Sequence, residues 1–251
     1  MTPVDSPLSV SPRRVASIDA FRGFVIFSMV FVNYVASMKQ IPAWMKHVPP
    51  DQYGMTFVDV VFPAFLFIVG MVIPIALERR LERSGSVAKT IAHVLTRFAG
   101  LIIIGVFMVN IAGLSPDRTP MGKFLWGFLM YISVVLVWTA YPREWKWRWP
   151  LRGLGIAGLV VLAAIYRRED GGWMQTQWWG ILGLIGWAYL TACAIFLVFR
   201  RNVAALMGML GLLIAWYEAG TAGGLSPVLD PIHQWVYTPT QIASHGAIVV
   251  A

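Results

Sequence analysis

Long apolar runs separated by short polar segments dominate the sequence. Runs of roughly 18 residues or more recur along its length, and a helix needs about that many apolar residues to cross a bilayer. The pattern therefore predicts an all-α fold, a polytopic membrane bundle of seven full spans. We place these spans at residues 20–38, 56–77, 91–112, 124–141, 151–166, 178–199 and 203–219.

A further apolar run starts near Gln241 and stops where the sequence stops, at Ala251. Half a span cannot satisfy its backbone hydrogen bonds in lipid, so this run is either a re-entrant helix or the start of an eighth span. We favour an eighth span in a chain that is a fragment. Residues 17–251 are then a single membrane domain that is incomplete at its C-terminus. Residues 1–16 are rich in Ser and Pro, which predicts a disordered tail.

Composition separates this chain from soluble proteins. Of its 251 residues, 58% are hydrophobic and only 13% are charged, and the mean hydropathy is +0.67. Soluble domains carry about 25% charged residues. The single cysteine, Cys193, excludes an internal disulfide and a cysteine-based metal site, and we expect no metal.

The net charge of +8 is unevenly placed along the chain. Basic residues concentrate in alternate breaks between the spans, as they do in the cytoplasmic loops of membrane proteins. This explains the charge better than a nucleic-acid partner does, so we expect a lipid bilayer and no nucleic acid. The pattern predicts a multi-pass protein of the plasma (inner) membrane, with a cytoplasmic N-terminus and an external loop after the first span. The basic residues on the cytoplasmic side are Arg13, Arg14, Arg79, Arg80, Arg83, Lys89, Arg143, Lys146, Arg148, Arg200 and Arg201.

Two charged residues open the first span. Asp19 and Arg22 are three positions apart, so they share a helix face and can neutralise each other. The alternative is a binding role, in which Arg22, together with Arg97 of the third span, offers a cationic mouth to an anionic cofactor. Arginine suits phosphates because its guanidinium group donates in a fork.

Three polar residues meet near the outer ends of the first two spans. Asn33 lies about 20 Å along span 1, and Asp59 lies about one turn into span 2. His47 belongs to the loop between these spans and can fold over the same place. Imidazole titrates near neutrality and suits general-base work, and a carboxylate on its other nitrogen would orient it. The alternative is a solvated loop histidine, with Asp59 completing a capping box that begins at Thr56.

The segments around these residues carry a family resemblance. The first is Ser17-Ile18-Asp19-Ala20-Phe21-Arg22-Gly23, followed by Met29 to Tyr34 and then by Trp44 and His47. The last runs from Gly54 to Gly70 and includes Phe57-Val58-Asp59-Val60-Val61-Phe62-Pro63. Over residues 13–112 the chain resembles the heparan-α-glucosaminide N-acetyltransferase family and its bacterial relatives, which are polytopic membrane acyltransferases.

The resemblance implies transfer of an acetyl group from cytoplasmic acetyl-CoA to a sugar amine across the membrane. It also implies that His47 corresponds to the active-site histidine of the family, Asn33 to its nearby asparagine, and Asp59 to the aspartate that opens the second span.

Our interpretation of the sequence is a membrane acyltransferase that acts on an amine or hydroxyl of an external glycan. His47 would be the general base or a transient acyl carrier, Asp59 would orient it, and Asn33 would hydrogen-bond the reacting carbonyl or the acceptor. Arg22 and Arg97, with Asp19, would bind the cofactor. The alternatives are a transporter of a small anion or sugar and a non-catalytic subunit of envelope assembly. A homo-oligomer is compatible with the sequence, which does not determine the oligomeric state.

Overall fold

The protein is all-helical in the part described by a computed structural model, which comprises residues 16–35, 38, 41–48, 54–177, 179–200 and 202–221. These residues form seven α-helices, one 3₁₀ turn and no β-strand, which confirms the predicted all-α class. The helices are α1 (Ala16–Val35), α2 (Phe57–Ser84), α3 (Val87–Gly113), α4 (Lys123–Trp138), α5 (Arg148–Ile165), α6 (Gly180–Phe199) and α7 (Val203–Thr221), and the 3₁₀ turn is Ala43–Met45.

Five of these helices, α1, α2, α3, α5 and α6, are long and apolar enough to cross a membrane. Two shorter apolar segments, Lys123–Trp138 in α4 and Val203–Ala219 in α7, complete the set. The chain is therefore a multi-pass membrane protein, and five of the seven predicted spans reach the length and hydropathy of a full span. The predicted eighth span lies outside the described residues, as does the predicted tail except for Ala16, which begins α1.

The boundary between α2 and α3 differs from the prediction. The sequence pattern ends the second span at residue 77 and predicts a long basic break at Glu78–Lys89. Instead α2 continues to Ser84, and α3 begins at Val87. Glu, Arg and Leu are good helix formers, so the charged residues extend the helix. Gly85 ends it in the left-handed conformation, with φ of 57°, and its N–H donates to the carbonyl oxygen of Leu81.

Close packing of α3 against α6 forms the centre of the bundle. A Cβ added to Gly105 would lie 2.5 Å from the carbonyl oxygen of Trp179 and 2.6 Å from the backbone nitrogen of Gly183. Only glycine allows this approach, and small residues at helix contacts are typical of membrane bundles. In the same region, Ala188 and Cys193 of α6 are fully buried in a core shared with Leu66 of α2 and Val94 of α3.

A second core joins α4 and α5 to the end of α3. Trp126 is fully buried and donates from Nε1 to the carbonyl oxygen of Leu162 at 3.1 Å. Asn110 is also fully buried. Its Nδ2 donates to the carbonyl oxygen of Gln175 at 2.7 Å, and its Oδ1 accepts from the backbone N–H of Gln175 at 3.1 Å. Tyr166 donates to the carbonyl oxygen of Asn110, and burial raises the pKa of the Tyr166 phenol, which keeps this donor neutral.

Candidate functional site

The first turn of α2 is organised around Asp59. The Oδ2 atom of Asp59 accepts from the backbone N–H of Thr56, the N-cap residue, at 2.9 Å. This is the capping box predicted from the spacing of the two residues. The hydroxyl of Thr56 lies 2.8 Å from the carbonyl oxygen of Lys46 and 3.0 Å from Asp59 Oδ2. The cap therefore also attaches the preceding loop to the start of the helix.

The same carboxylate holds His47. The Nδ1 atom of His47 lies 2.6 Å from Oδ1 of Asp59, and the backbone N–H of Val48 lies 3.4 Å from Oδ2. A carboxylate has no proton to give, so Nδ1 carries the hydrogen and Nε2 is left with a lone pair. The imidazole is 67% exposed, whereas the Asp59 side chain is only 25% exposed. The arrangement gives an oriented imidazole whose proton-accepting nitrogen is open to an incoming molecule.

Asn33 lies at the same level of the bundle, but among the described residues it makes no hydrogen bond with this pair. Its neighbour Val32 is buried in a small core with Val58 and Val61 of α2, so the two helices do meet at this height. The side chain of Asn33 is exposed and makes no hydrogen bond within the described part of the chain. The structure thus brings together His47 and Asp59, and leaves Asn33 beside them on α1.

At the other end of α1, Arg22 and Asp19 form an ion pair. The Nη2 atom of Arg22 donates to Oδ1 of Asp19 at 2.8 Å, and both side chains are about half exposed. This is the self-neutralising pair that their spacing allows. Exposed pairs of this kind contribute about 0–1 kcal/mol, so the pair does little for stability.

Arg22 also lines a cavity with Arg97, the other predicted cofactor-binding residue. The cavity has a volume of about 250 Å³, lies between α1, α2, α3 and α6, and is mostly apolar, with Phe65 and Val69 among its walls. Arg97 lies over the ring of Tyr189, 5.3 Å from its centroid. The two arginines predicted to act together therefore face one space.

A second cavity, of about 450 Å³, adjoins the first on the side of the α2–α3 junction. Arg79, Arg80 and Arg83 line it, together with His93 and Arg97. Among the described residues, neither a lining residue nor an ion-pair partner of these arginines is a carboxylate. The Nε atom of Arg80 is buried with no hydrogen-bond partner. The cavity is a concentrated positive site suited to a phosphate-bearing molecule.

Sequence reasoning missed this arginine cavity. The hydropathy pattern places Arg79, Arg80 and Arg83 in a loop, where basic residues indicate only the cytoplasmic side. Arg83 is four positions after Arg79 and three after Arg80, a spacing that puts Arg83 on the same helix face as its two neighbours, but only if the second span extends past residue 77.

The two cavities share wall residues and follow one another along α2, an arrangement called here the arginine-lined path. Ala76, Leu77, Arg97 and Tyr189 line both. From Arg83 to Phe65 the path covers about 27 Å of helix, at about 1.5 Å per residue. Phe65 is in turn about 9 Å along α2 from Asp59. A long, thin molecule with an anionic end could extend from the arginines toward the His47–Asp59 pair.

Comparisons with known proteins find one family model over most of the chain and curated relatives over part of it. The family model for a domain of unknown function (DUF5009) matches residues 14–240. The chain belongs to this family. No solved structure matches the chain.

Curated relatives match a shorter segment. Heparan-alpha-glucosaminide N-acetyltransferase of Homo sapiens is 37% identical over 103 residues, which cover 41% of this chain and 15% of the human protein. The enzyme of the same name from Mus musculus is 37% identical over 100 residues, 40% of this chain and 14% of the mouse protein. The predicted resemblance is confirmed, and the matched segment spans only about one seventh of the length of these relatives.

Proposed function

We propose that this DUF5009 protein is a membrane acyltransferase that moves an acetyl group from acetyl-CoA to an amine or hydroxyl of a glycan on the other side of the membrane. The observation that carries the proposal is the 2.6 Å hydrogen bond between His47 and Asp59. Similarity to two enzymes named as N-acetyltransferases supports the reaction class. In this proposal the protein lies in the plasma (inner) membrane, its N-terminus is cytoplasmic, and the His47 loop is external.

His47 is the proposed general base. Its Nε2 accepts a proton from the acceptor while the acceptor nitrogen or oxygen attacks the acetyl carbonyl carbon. The new C–N or C–O bond replaces the C–S bond, and CoA leaves as a thiolate that takes the proton from the imidazolium. Asp59 holds Nδ1–H and stabilises the imidazolium by its negative charge. His47 acting as a transient acyl carrier requires the same hydrogen bond to Asp59.

Asn33 is the proposed donor to the charge that develops on the reacting oxygen. Its amide is exposed at the level of Val58 and Val61, so it is available to a substrate that lies between α1 and the His47 loop. Fixed hydrogen-bond donors at a developing oxyanion are worth about 10²–10³-fold in rate.

The arginine-lined path is the proposed donor site. Arg22, paired with Asp19, and Arg97 line the smaller cavity of about 250 Å³. The larger cavity of about 450 Å³ is lined by Arg79, Arg80 and Arg83. The phosphates of CoA would lie in the larger cavity, beside Arg79, Arg80 and Arg83. The arm that carries the thioester would extend along the smaller, mostly apolar cavity. Forked guanidinium donors suit phosphate oxygens, and an uncharged apolar wall suits the arm.

Acetyl-CoA turnover by the purified full-length protein tests the proposal. The assay follows thiol release with a panel of aminosugars and cell-envelope glycans, and with the His47→Ala variant beside the parent. Thiol release that depends on both an acceptor and His47 supports the proposal. Thiol release that is absent with every acceptor, or unchanged without His47, contradicts it.

One observation favours a second candidate, a transporter of a small anion or sugar. Arg79, Arg80 and Arg83, which have no carboxylate partner among the described residues, lie at one end of a path along most of α2, as they would in a permeation route for an anion. A transporter in vesicles would show flux of a labelled anion without CoA turnover. A non-catalytic subunit of envelope assembly would show neither activity alone.

A further inference from the structure

A separate groove lies between α3 and α5, away from the residues of the proposed reaction. It has a volume of about 660 Å³, and α4 forms its floor through Val137 and Trp138. Its walls are otherwise almost entirely apolar, and Arg152 is its one charged lining residue. The volume lies within the range of about 300–1,000 Å³ that is typical of ligand sites.

The length of the groove matches one leaflet of a bilayer. On α3 the lining extends from Thr96 to Phe107, and on α5 it extends from Arg152 to Ala163. Each stretch corresponds to about 16 Å of helix. Half of the hydrocarbon core of a bilayer is about 15 Å thick. The groove is therefore long enough for the acyl chain of one lipid and too short to cross the membrane.

Arg152 lies at one end of this groove, and among the described residues only one of its donor groups makes a hydrogen bond. One of its terminal nitrogens, Nη2, lies 3.3 Å from the carbonyl oxygen of Thr139, and its guanidinium lies over the rings of Tyr141 and Trp149. Its Nε is buried with no hydrogen-bond partner, and no carboxylate pairs with it within the described part of the chain. A guanidinium group has five N–H donors, so several remain for an anion.

The surroundings of Arg152 are those of a membrane interface. Trp145, Trp147 and Trp149 are all exposed close to it in sequence, and tryptophan concentrates at the level of the lipid headgroups. The segment from 143 to 152 carries Arg143, Lys146, Arg148 and Arg152 against one acidic residue, Glu144. Basic residues at this level attract anionic headgroups.

We infer that this groove binds one anionic phospholipid from the leaflet on the Arg152 side. An acyl chain lies between α3 and α5 over Phe107 and Val160, and the headgroup phosphate accepts hydrogen bonds from Arg152. The apolar lining, the length of one leaflet and the unpaired guanidinium at the interface end all fit this occupant. The inference does not depend on the proposed acyl transfer.

Lipid retention by the full-length protein tests this site. The protein is purified in mild detergent, equilibrated with phosphatidylglycerol or phosphatidylcholine, and weighed intact by native mass spectrometry. We expect one retained phosphatidylglycerol and at least tenfold weaker retention of phosphatidylcholine. Equal retention of both lipids, or no retained lipid, overturns the inference.

Two pairs of variants locate the lipid. Arg152→Gln should weaken phosphatidylglycerol retention about tenfold to one hundredfold, as expected for loss of charge-assisted hydrogen bonds. Arg148→Gln is the control, because Arg148 is in the same helix and carries the same charge but does not line the groove. The Arg148→Gln protein should retain phosphatidylglycerol as the parent does. Equal effects of these two substitutions overturn the assignment.

The second pair fills the groove without changing charge. Val160 lines the groove, whereas its neighbour Val161 does not, and both are exposed. Val160→Trp should displace the acyl chain and Val161→Trp should not, with circular dichroism used to confirm that both variants are folded. Retention by Val160→Trp equal to that by Val161→Trp overturns the inference, even if Arg152→Gln fails to fold.

Discussion

The Oδ1 atom of Asp59 lies 2.6 Å from Nδ1 of His47, while Oδ2 of the same carboxylate accepts the backbone N–H of Thr56 at 2.9 Å. One side chain thus begins a membrane helix and orients a loop imidazole. The two interpretations that the sequence allowed for Asp59, a helix cap and a partner of His47, are compatible because they use different oxygens.

Replacement of His47 by Ala is expected to lower acyl transfer by about 10²–10⁴-fold, because it removes the general base. The imidazole is mostly exposed, so the free energy of unfolding should change by less than about 0.5 kcal/mol and the melting temperature in detergent should barely move. The measurement is acceptor-dependent thiol release from acetyl-CoA. Met55→Ala is the matched control, because Met55 is an exposed residue just before the same helix. Unchanged turnover by His47→Ala removes His47 from the site.

Two substitutions of Asp59 separate its roles. Asp59→Asn keeps an oxygen that can accept from Thr56, but it lacks the charge that stabilises an imidazolium, so we expect slower turnover and a nearly unchanged melting temperature. Asp59→Ala removes both functions and should also destabilise the protein by about 1 kcal/mol, the usual effect of losing a helix cap. If Asp59→Asn keeps full turnover, the carboxylate serves only the helix.

The cavity lined by Arg79, Arg80 and Arg83 predicts that these residues determine the affinity for acetyl-CoA. Arg80→Gln and Arg83→Gln should raise the KM for acetyl-CoA about tenfold or more, with a smaller effect on kcat, because each removes charge-assisted bonds to phosphate. Arg22→Ala should raise the KM less, since Arg22 is already paired with Asp19. Arg143→Gln, outside both cavities, is the control. If Arg143→Gln and Arg80→Gln raise the KM for acetyl-CoA equally, the effect is one of overall charge, and the cavity is not a specific acetyl-CoA site.

Much of the fold could be predicted from hydropathy, because a bilayer requires long apolar helices and the sequence shows them directly. The end of α2 could not be predicted from hydropathy. Charged residues such as Glu82 and Arg83 indicate a loop by their polarity, whereas their helix propensity indicates a helix. Helix propensity decides here: the helix continues through these charged residues and ends only at Gly85, two residues after Arg83.

The site was predictable in part for a similar reason. His47 and Asp59 are joined by a short loop and a helix cap, so their proximity follows from local sequence. The position of the Asn33 side chain depends on the rotation of α1 against α2, which hydropathy does not determine. In the described part of the chain this side chain is exposed and does not join the hydrogen bond between His47 and Asp59. The convergence of Arg22 and Arg97 depends on how four helices pack, and the two residues nevertheless line one cavity, as their predicted association requires.

Membrane topology can be tested by cysteine labelling. Cys193 is fully buried and can be replaced by Ala to give a cysteine-free background. With an external His47 loop, an impermeant maleimide added to intact cells should label Met55→Cys and Asp117→Cys. Glu82→Cys, near the end of α2, should be labelled only after permeabilisation. Labelling of Met55→Cys only from the inside would contradict the topology and the proposed external acceptor together.

The contact between α3 and α6 gives a stability prediction that does not depend on function. Gly105→Ala places a Cβ within 2.5–2.6 Å of backbone atoms of Trp179 and Gly183, which cannot move as a flexible side chain can. Overpacking of this kind typically costs about 1–3 kcal/mol, so the melting temperature in detergent should fall clearly. Gly208→Ala is the control, because nothing lies within 4 Å of a Cβ at that position of α7 and alanine is the better helix former by about 1 kcal/mol. The melting temperature of Gly208→Ala should therefore stay level or rise. If Gly105→Ala melts at the parental temperature, α3 and α6 do not approach each other as closely as their glycines allow.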